Sequence, residues 1–372
     1  MVTQPDVVVV GGGAIGLTLA RQLRGEGCHV VLLERHECGR EASWAGAGIL
    51  APCNPQRTGP LFHFQERSLE LYPTLCQDLL AETGIDPEYE RCGELELVFT
   101  EPLLGIARAD ERGGAGRLFV GDKPRVELHS PATVAALEPA VSSEILGALE
   151  CRYTAQVRNP RLLAALRESC ARRGVDIREH VTVEDLLTEN GRVTGVATNM
   201  GAVHGGAVVI CAGAWSGTIG ARIGGAMPVH PVRGQIILLK LEQRPFQRII
   251  ARGKTYLVPR RDGHVIIGST EEPEAGFTKR NTPQGVSHLM AQAVKFVPAL
   301  ADAPVMAMWS GLRPGTHNDK PLIGPVPQWP GLFAATGHFR AGLTNAPATA
   351  EAVSAMLAGR SYSLDMSICA PK

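Results

Sequence analysis

The first apolar block, Val7 to Val10, is a run of four β-branched residues, the pattern of a strand covered on both faces. Glycines follow at 11, 12, 13 and 16, and Ile15, Leu19 and Leu23 then recur at helical spacing until Gly25 and Gly27 end the run. A second apolar run, Val30 to Leu33, closes at Glu34. Strand, glycine turn, helix, strand and acid together predict a βαβ unit that cradles a nucleotide. Gly11 permits the turn, Gly13 lets a pyrophosphate approach the backbone, and Gly16 lets helix pack on strand. Ala14 and Ile15 open a helix whose N-terminus faces the phosphates. Glu34, about 20 residues on, is placed to take ribose hydroxyls.

The same patterns divide the rest of the chain. Apolar positions at helical spacing predict a helix from His63 to Leu80, broken by Gly84 and Pro87. Leu95, Leu97 and Phe99 alternate with Glu94 and Glu96 as in a half-buried strand, so a second domain begins there. Residues 105–117, rich in Gly, Arg and Ala, predict a surface excursion, and Ser130-Pro131 caps a short helix ending before Pro139. Asn159-Pro160 predicts an N-cap and first turn, with Leu162, Leu163, Leu166 and Cys170 on the buried face until Gly174. A hairpin at Asn190-Gly191 precedes the buried strand Ala207 to Cys211. Strands follow at Val232–Leu239, Thr255–Pro259 and Val265–Ser269, then a helix from Thr282-Pro283. The last strand of that region, Val305–Trp309, runs into a turn carrying Arg313, and a final strand and loop lead to a helix from Ala348 to Leu357. The predicted organisation is a nucleotide-binding domain in three parts (1–84, 151–225, 320–372) and a substrate domain in two (85–150, 226–319).

A chain of 372 residues is long enough for two such cores. Lys plus Arg and Asp plus Glu are 37 each, so no global field draws nucleic acid or an anionic membrane, and small polar partners fit better. The nine cysteines are scattered, odd in number and never C-x-x-C, which argues against a disulfide framework or a zinc site and for a reducing, cytoplasmic setting. No ligand spacing among the eleven histidines, no G-x-S-x-G and no H-E-x-x-H support a metal or hydrolase reading. No apolar run approaches the ~20 residues of a membrane span.

After Glu34 the chain reads Arg35-His-Glu-Cys-Gly-Arg-Glu-Ala42-Ser43-Trp-Ala-Gly-Ala47-Gly48-Ile49-Leu-Ala-Pro52, too poor in polar groups for a solvent loop. This segment resembles the second flavin-contacting loop of the glycine oxidases (ThiO type), in the D-amino-acid oxidase group. Ala-Gly213-Ala-Trp after the strand at 207 resembles that family's third flavin signature, and the segment from Gly331 to Pro347 resembles its last. The resemblance implies noncovalent FAD, held by Arg35, Ala42, Ser43, Ala47, Gly48 and Ile49 in addition to the first cradle. It sets Val183, by itself an ordinary core valine, against the adenine, with Gly213 beside it. It also brings His338, Phe339, Arg340, Ala341, Gly342, Leu343 and Thr344 to the flavin, where a helix N-terminus would stabilise electron density on the reduced ring.

Oxidation of an amine carbon by a flavin needs the substrate carboxylate held so that its Cα hydrogen meets flavin N5. Arg313, in Gly-Leu-Arg-Pro-Gly-Thr, matches the family's carboxylate-binding arginine, and a planar guanidinium suits the task. Tyr256 aligns with the tyrosine that closes on the substrate and Arg340 with a second arginine, although a half-buried strand tyrosine and a helix-entry contact remain alternatives. No general base is demanded. Ala341 stands where the family usually has Asn, Thr344-Asn345 replaces an aliphatic pair, and Glu271 falls on the expected substrate side. No cysteine near Arg313 to Lys320 could carry covalent flavin. The fold implied is α/β, a Rossmann-like FAD domain with an inserted α+β substrate domain on a mixed, largely antiparallel sheet. The function implied is oxidation of a small amino acid, glycine foremost, to glyoxylate, ammonia and hydrogen peroxide with oxygen as acceptor, the imine being available for thiamine thiazole synthesis. A D-amino-acid or sarcosine dehydrogenase with another acceptor, a non-catalytic flavin-binding protein and a homo-oligomeric state stay open.

Overall fold

Val7–Val10 form the parallel heart of a six-stranded sheet, with Val30–Leu33 on one side and Ala207–Ile210 on the other. The computed structural model describes residues 4–52, 59–112, 119–120, 123–224 and 227–371. Strand order in this sheet is Asp176–Arg178, Val30–Leu33, Val7–Val10, Ala207–Ile210, Leu332–Thr336, Leu322–Pro325, with only the last pair antiparallel. All four valines of the first strand are buried, because Ala14–Gly25 and Gly342–Leu357 cover one face and the sheet Val183–Glu189, Arg192–Thr198, Gly201–His204 covers the other.

The second sheet has eight strands: Val305–Gly315, His230–Lys240, His264–Gly268, Thr255–Pro259, Ile249–Arg252, Glu94–Val98, Gly147–Cys151, Val126–His129. Every pairing is antiparallel except that of Glu94–Val98 with Ile249–Arg252. Leu95, Leu97, Ile237, Leu257 and Ile267 bury their side chains beneath the helix Pro283–Phe296, which Thr282 caps by accepting the Gly285 N–H at 3.2 Å. The chain crosses between the two sheets four times, so ligand-facing residues arrive from distant stretches of sequence. No helix among the described residues is long and apolar enough to cross a membrane.

Four local expectations are corrected. The surface excursion at 105–117 is in part the helix Glu101–Glu111, which Pro102 opens, and residues 113–117 lie outside the described residues. Arg313 lies not in a turn but inside the strand Val305–Gly315, opposite Val232. That strand is the outermost of its sheet, where Pro314 can lack an N–H without breaking a ladder. Asn159 does not cap its helix with its side chain, which points instead at residues 43–46. The last helix starts at Gly342, six residues early, and runs through Pro347. Proline there leaves the Leu343 carbonyl without its helical donor, and the Tyr72 hydroxyl donates to that carbonyl in its place.

Candidate functional site

A continuous cavity of about 600 Å³ runs from the first glycine turn to the edge of the second sheet. Its size falls within the range of cofactor and substrate sites. Every residue named above for the cofactor or the substrate lines it, except Gly16 and Glu271. Gly16 lies outside the lining, and a Cβ there would sit 1.9 Å from the Gly11 carbonyl oxygen. Its lack of a side chain therefore serves the crossing of helix on strand.

At one end, Glu34 accepts the Gly12 N–H at 2.8 Å and the His36 N–H at 3.0 Å, so its carboxylate is fixed at the mouth of the glycine turn. Each carboxylate oxygen keeps a lone pair for a diol. Arg35 pairs with Glu41 at 3.0 Å and stacks 3.5 Å over the Trp215 ring, which closes the wall beside it. Val183, Thr182 and Gly213 complete this end. Glu34→Ala should weaken FAD binding about tenfold or more, since charge-assisted hydrogen bonds contribute roughly 1.5–3 kcal/mol. An unchanged dissociation constant in a titration of apoprotein with FAD would disprove this role.

The middle of the cavity is walled by the segment 41–52, whose own carbonyls are tied from behind. Asn159 Nδ2 donates to the carbonyls of Ser43 at 2.8 Å, Trp44 at 2.6 Å and Gly46 at 3.0 Å. Arg260 donates to Ala47 O at 2.8 Å, Val157 O at 2.8 Å and Gln156 Oε1 at 2.9 Å, and its burial among neutral acceptors lowers its pKa to about 10. Trp309 Nε1 donates to Ala45 O at 2.9 Å. On the cavity side, the Ser43 hydroxyl accepts the Ala14 N–H at 3.0 Å, which joins this segment to the first helix. Sequence reading missed Asn159, Arg260 and Trp309 in this role. The Asn-Pro step signalled a helix start, and nothing local couples Arg260 to Ala47.

At the far end, Arg313 Nη2 donates to Ser269 Oγ at 2.6 Å and Nη1 to Thr270 O at 3.2 Å. Gly234 makes room for this guanidinium, because a Cβ there would lie 2.2 Å from Nη2. Burial holds Arg313 below the usual arginine range, and the Tyr256 hydroxyl lies beside it and acts the other way. No carboxylate stands within ion-pair distance of Arg313 among the described residues. Arg340 differs, for it is paired with Glu271, which also holds Lys254. Glu271 itself is absent from the lining, contrary to the expected place on the substrate side. His338 is buried, hydrogen-bonded to Thr349 Oγ1 at 3.0 Å, and burial lowers its pKa to about 3, so it is a neutral ring throughout the physiological range. Gly342, Leu343 and Thr344 bring the N-terminus of the last long helix to this end of the cavity.

A family model described as FAD dependent oxidoreductase matches residues 6–356. The glycine oxidase of Pseudomonas aeruginosa is 40% identical over 98% of this chain and 98% of its own. The bifunctional protein ThiO/ThiG of a Nostoc species is 32% identical over 95% of this chain and 52% of its own length. A crystal structure of glycine oxidase from Geobacillus kaustophilus superposes with a TM-score of 0.93, at 29% identity, over 99% of this chain and 98% of that one.

Proposed function

The chain belongs to the DAO family of FAD dependent oxidoreductases, and we propose that it oxidises glycine, with water and oxygen, to glyoxylate, ammonia and hydrogen peroxide. One observation carries this reading. The cavity that begins at a dinucleotide cradle ends at Arg313, a half-buried guanidinium with no carboxylate partner among the described residues. An unpaired buried cation is costly unless a ligand anion completes it.

The residues present fit FAD. Glu34 would offer its carboxylate to the ribose, the turn at 11–13 and the first helix would receive the pyrophosphate, and the segment 42–49 and residues 338–344 would hold the ring. When bound, FAD supplies the two-electron acceptor for the hydrogen on the substrate Cα. The protein's part is placement. Arg313 engages the substrate carboxylate through parallel N–H···O bonds, its plane fixed by Ser269 and Thr270. Tyr256, on the strand paired with His264–Gly268, adds its hydroxyl, and the mainly apolar walls exclude water from the reacting carbon. No side chain is required to take the amine proton, which can pass to solvent. Likeness to the bifunctional protein ThiO/ThiG over about half of its length supports use of the imine in thiamine thiazole formation.

Glycine added without oxygen should bleach the yellow holoenzyme, and in air should yield glyoxylate and peroxide in equal amounts. A flavin that stays oxidised in glycine would refute the substrate, and a colourless protein that takes up NAD but not FAD would refute the cofactor.

A further inference from the structure

The residues that follow the strand His264–Gly268, Ser269 to Glu272, treat the two cavity guanidiniums oppositely. Ser269 and Thr270 hold Arg313 with neutral oxygens, and no carboxylate among the described residues forms an ion pair with it. Glu271, next in sequence, turns away and binds Arg340 through a full carboxylate, while Lys254 holds the other oxygen. Glu272 goes to Arg233, whose carbonyl faces Arg313, and so fixes the backbone between them. Both Arg313 and Arg340 line the cavity, so a substrate carboxylate could in principle meet either.

We propose that Glu271 is a specificity determinant: by pairing with Arg340 it withdraws the second guanidinium, so that the site accepts amines bearing one carboxylate and rejects those bearing two. Two effects act together. A second substrate carboxylate would have to displace Glu271 from Arg340, exchanging one charge-assisted pair for another with no gain, and would meet the negative charge of Glu271 as it did so. A lone carboxylate goes to Arg313, whose hydrogen-bond partners are neutral oxygens, so no carboxylate has to be displaced from it. The substrate class therefore follows from which cation is left free, and this inference rests on the proposal that Arg313 takes a carboxylate.

The test uses holoenzyme and two ligands without an amine, acetate and malonate, whose binding is read from the shift they cause in the flavin spectrum. Glu271→Gln keeps shape and a hydrogen bond to Lys254 but frees Arg340. It should shift the ratio of acetate to malonate dissociation constants toward malonate about tenfold or more, because the second carboxylate gains a charge-assisted partner. Iminodiacetate should in parallel become a better reductant of the flavin relative to glycine. In the double variant Glu271→Gln with Arg340→Gln the shift should vanish, which a general loosening of the site would not produce. An unchanged ratio in Glu271→Gln, a shift that survives in the double variant, or no spectral response to either ligand in Glu271→Gln would each overturn the proposal. Failure of glycine to bleach the parent would instead strike the proposed substrate, since acetate and malonate are read without turnover.

Discussion

Arg313→Ala is expected to lower kcat/KM for glycine by about 10²- to 10⁴-fold, roughly 3–5 kcal/mol, while the protein still binds FAD. Glycine has only a carboxylate and an amine by which to be held, so loss of the carboxylate clamp removes most of what orients its Cα hydrogen. The loss should be larger than for a surface cation, because the guanidinium is desolvated and its partners among the described residues are hydroxyls and backbone carbonyls, with no carboxylate. FAD should be retained because none of those partners belongs to the cradle around Glu34 or to the segment 42–49. Arg313→Lys should recover part of the binding but not the alignment, since an ammonium is a point charge without a planar fork. Stopped-flow bleaching under nitrogen at several glycine concentrations separates the two. A parent-like bleaching rate in Arg313→Ala at equal glycine places the carboxylate elsewhere.

How much of this was legible in the sequence depends on the range of the interactions involved. The first βαβ unit is written locally, in a β-branched run, a glycine turn and an amphipathic helix, and the register of Val7–Val10 between Val30–Leu33 and Ala207–Ile210 follows from it. Arg313 was legible as a residue but not as part of a strand. Gly311, Pro314 and Gly315 look like breakers, yet pairing with His230–Lys240 over ten residues overrides them at a sheet edge. The early start of the last helix was hidden for a similar reason. Pro347 suggests a boundary unless the Tyr72 hydroxyl, 271 residues away from Leu343, is known to take the freed carbonyl. Arg260 reads as the charged tip of a hairpin, and its partner Ala47 is 213 residues distant. The pairing of Glu271 with Arg340, 69 residues apart, likewise has no local signal. Patterns reveal what each segment buries, whereas the tethers that aim a site join segments whose sequences are mutually silent.

Asn159 is such a tether, and Asn159→Asp should be among the most damaging isosteric changes in the chain. The amide is 1% exposed, and all three of its neighbours at Nδ2 are carbonyl oxygens, so the nitrogen must face them. Its Oδ1 has no hydrogen-bond partner among the described residues. Aspartate has the same outline but no donor. It would leave the Ser43, Trp44 and Gly46 carbonyls without hydrogen bonds and set an acceptor against them, at a cost on the order of 3 kcal/mol or more. Asn159→Ala removes the donors without adding an opposing oxygen and should cost less, which makes the pair diagnostic. The damage should reach the cofactor because the segment released carries Ser43, whose hydroxyl accepts the Ala14 N–H, and Ala47 and Gly48, which line the cavity. Thermal unfolding of the apoprotein should therefore rank parent above Asn159→Ala above Asn159→Asp, and FAD titration should show affinity falling in the same order, more than tenfold for aspartate. Equal stability of the alanine and aspartate variants would mean that the carbonyl cage does not act on residue 159. Unchanged FAD affinity in both would mean that the segment 42–49 keeps its shape by the Arg260 and Trp309 contacts alone.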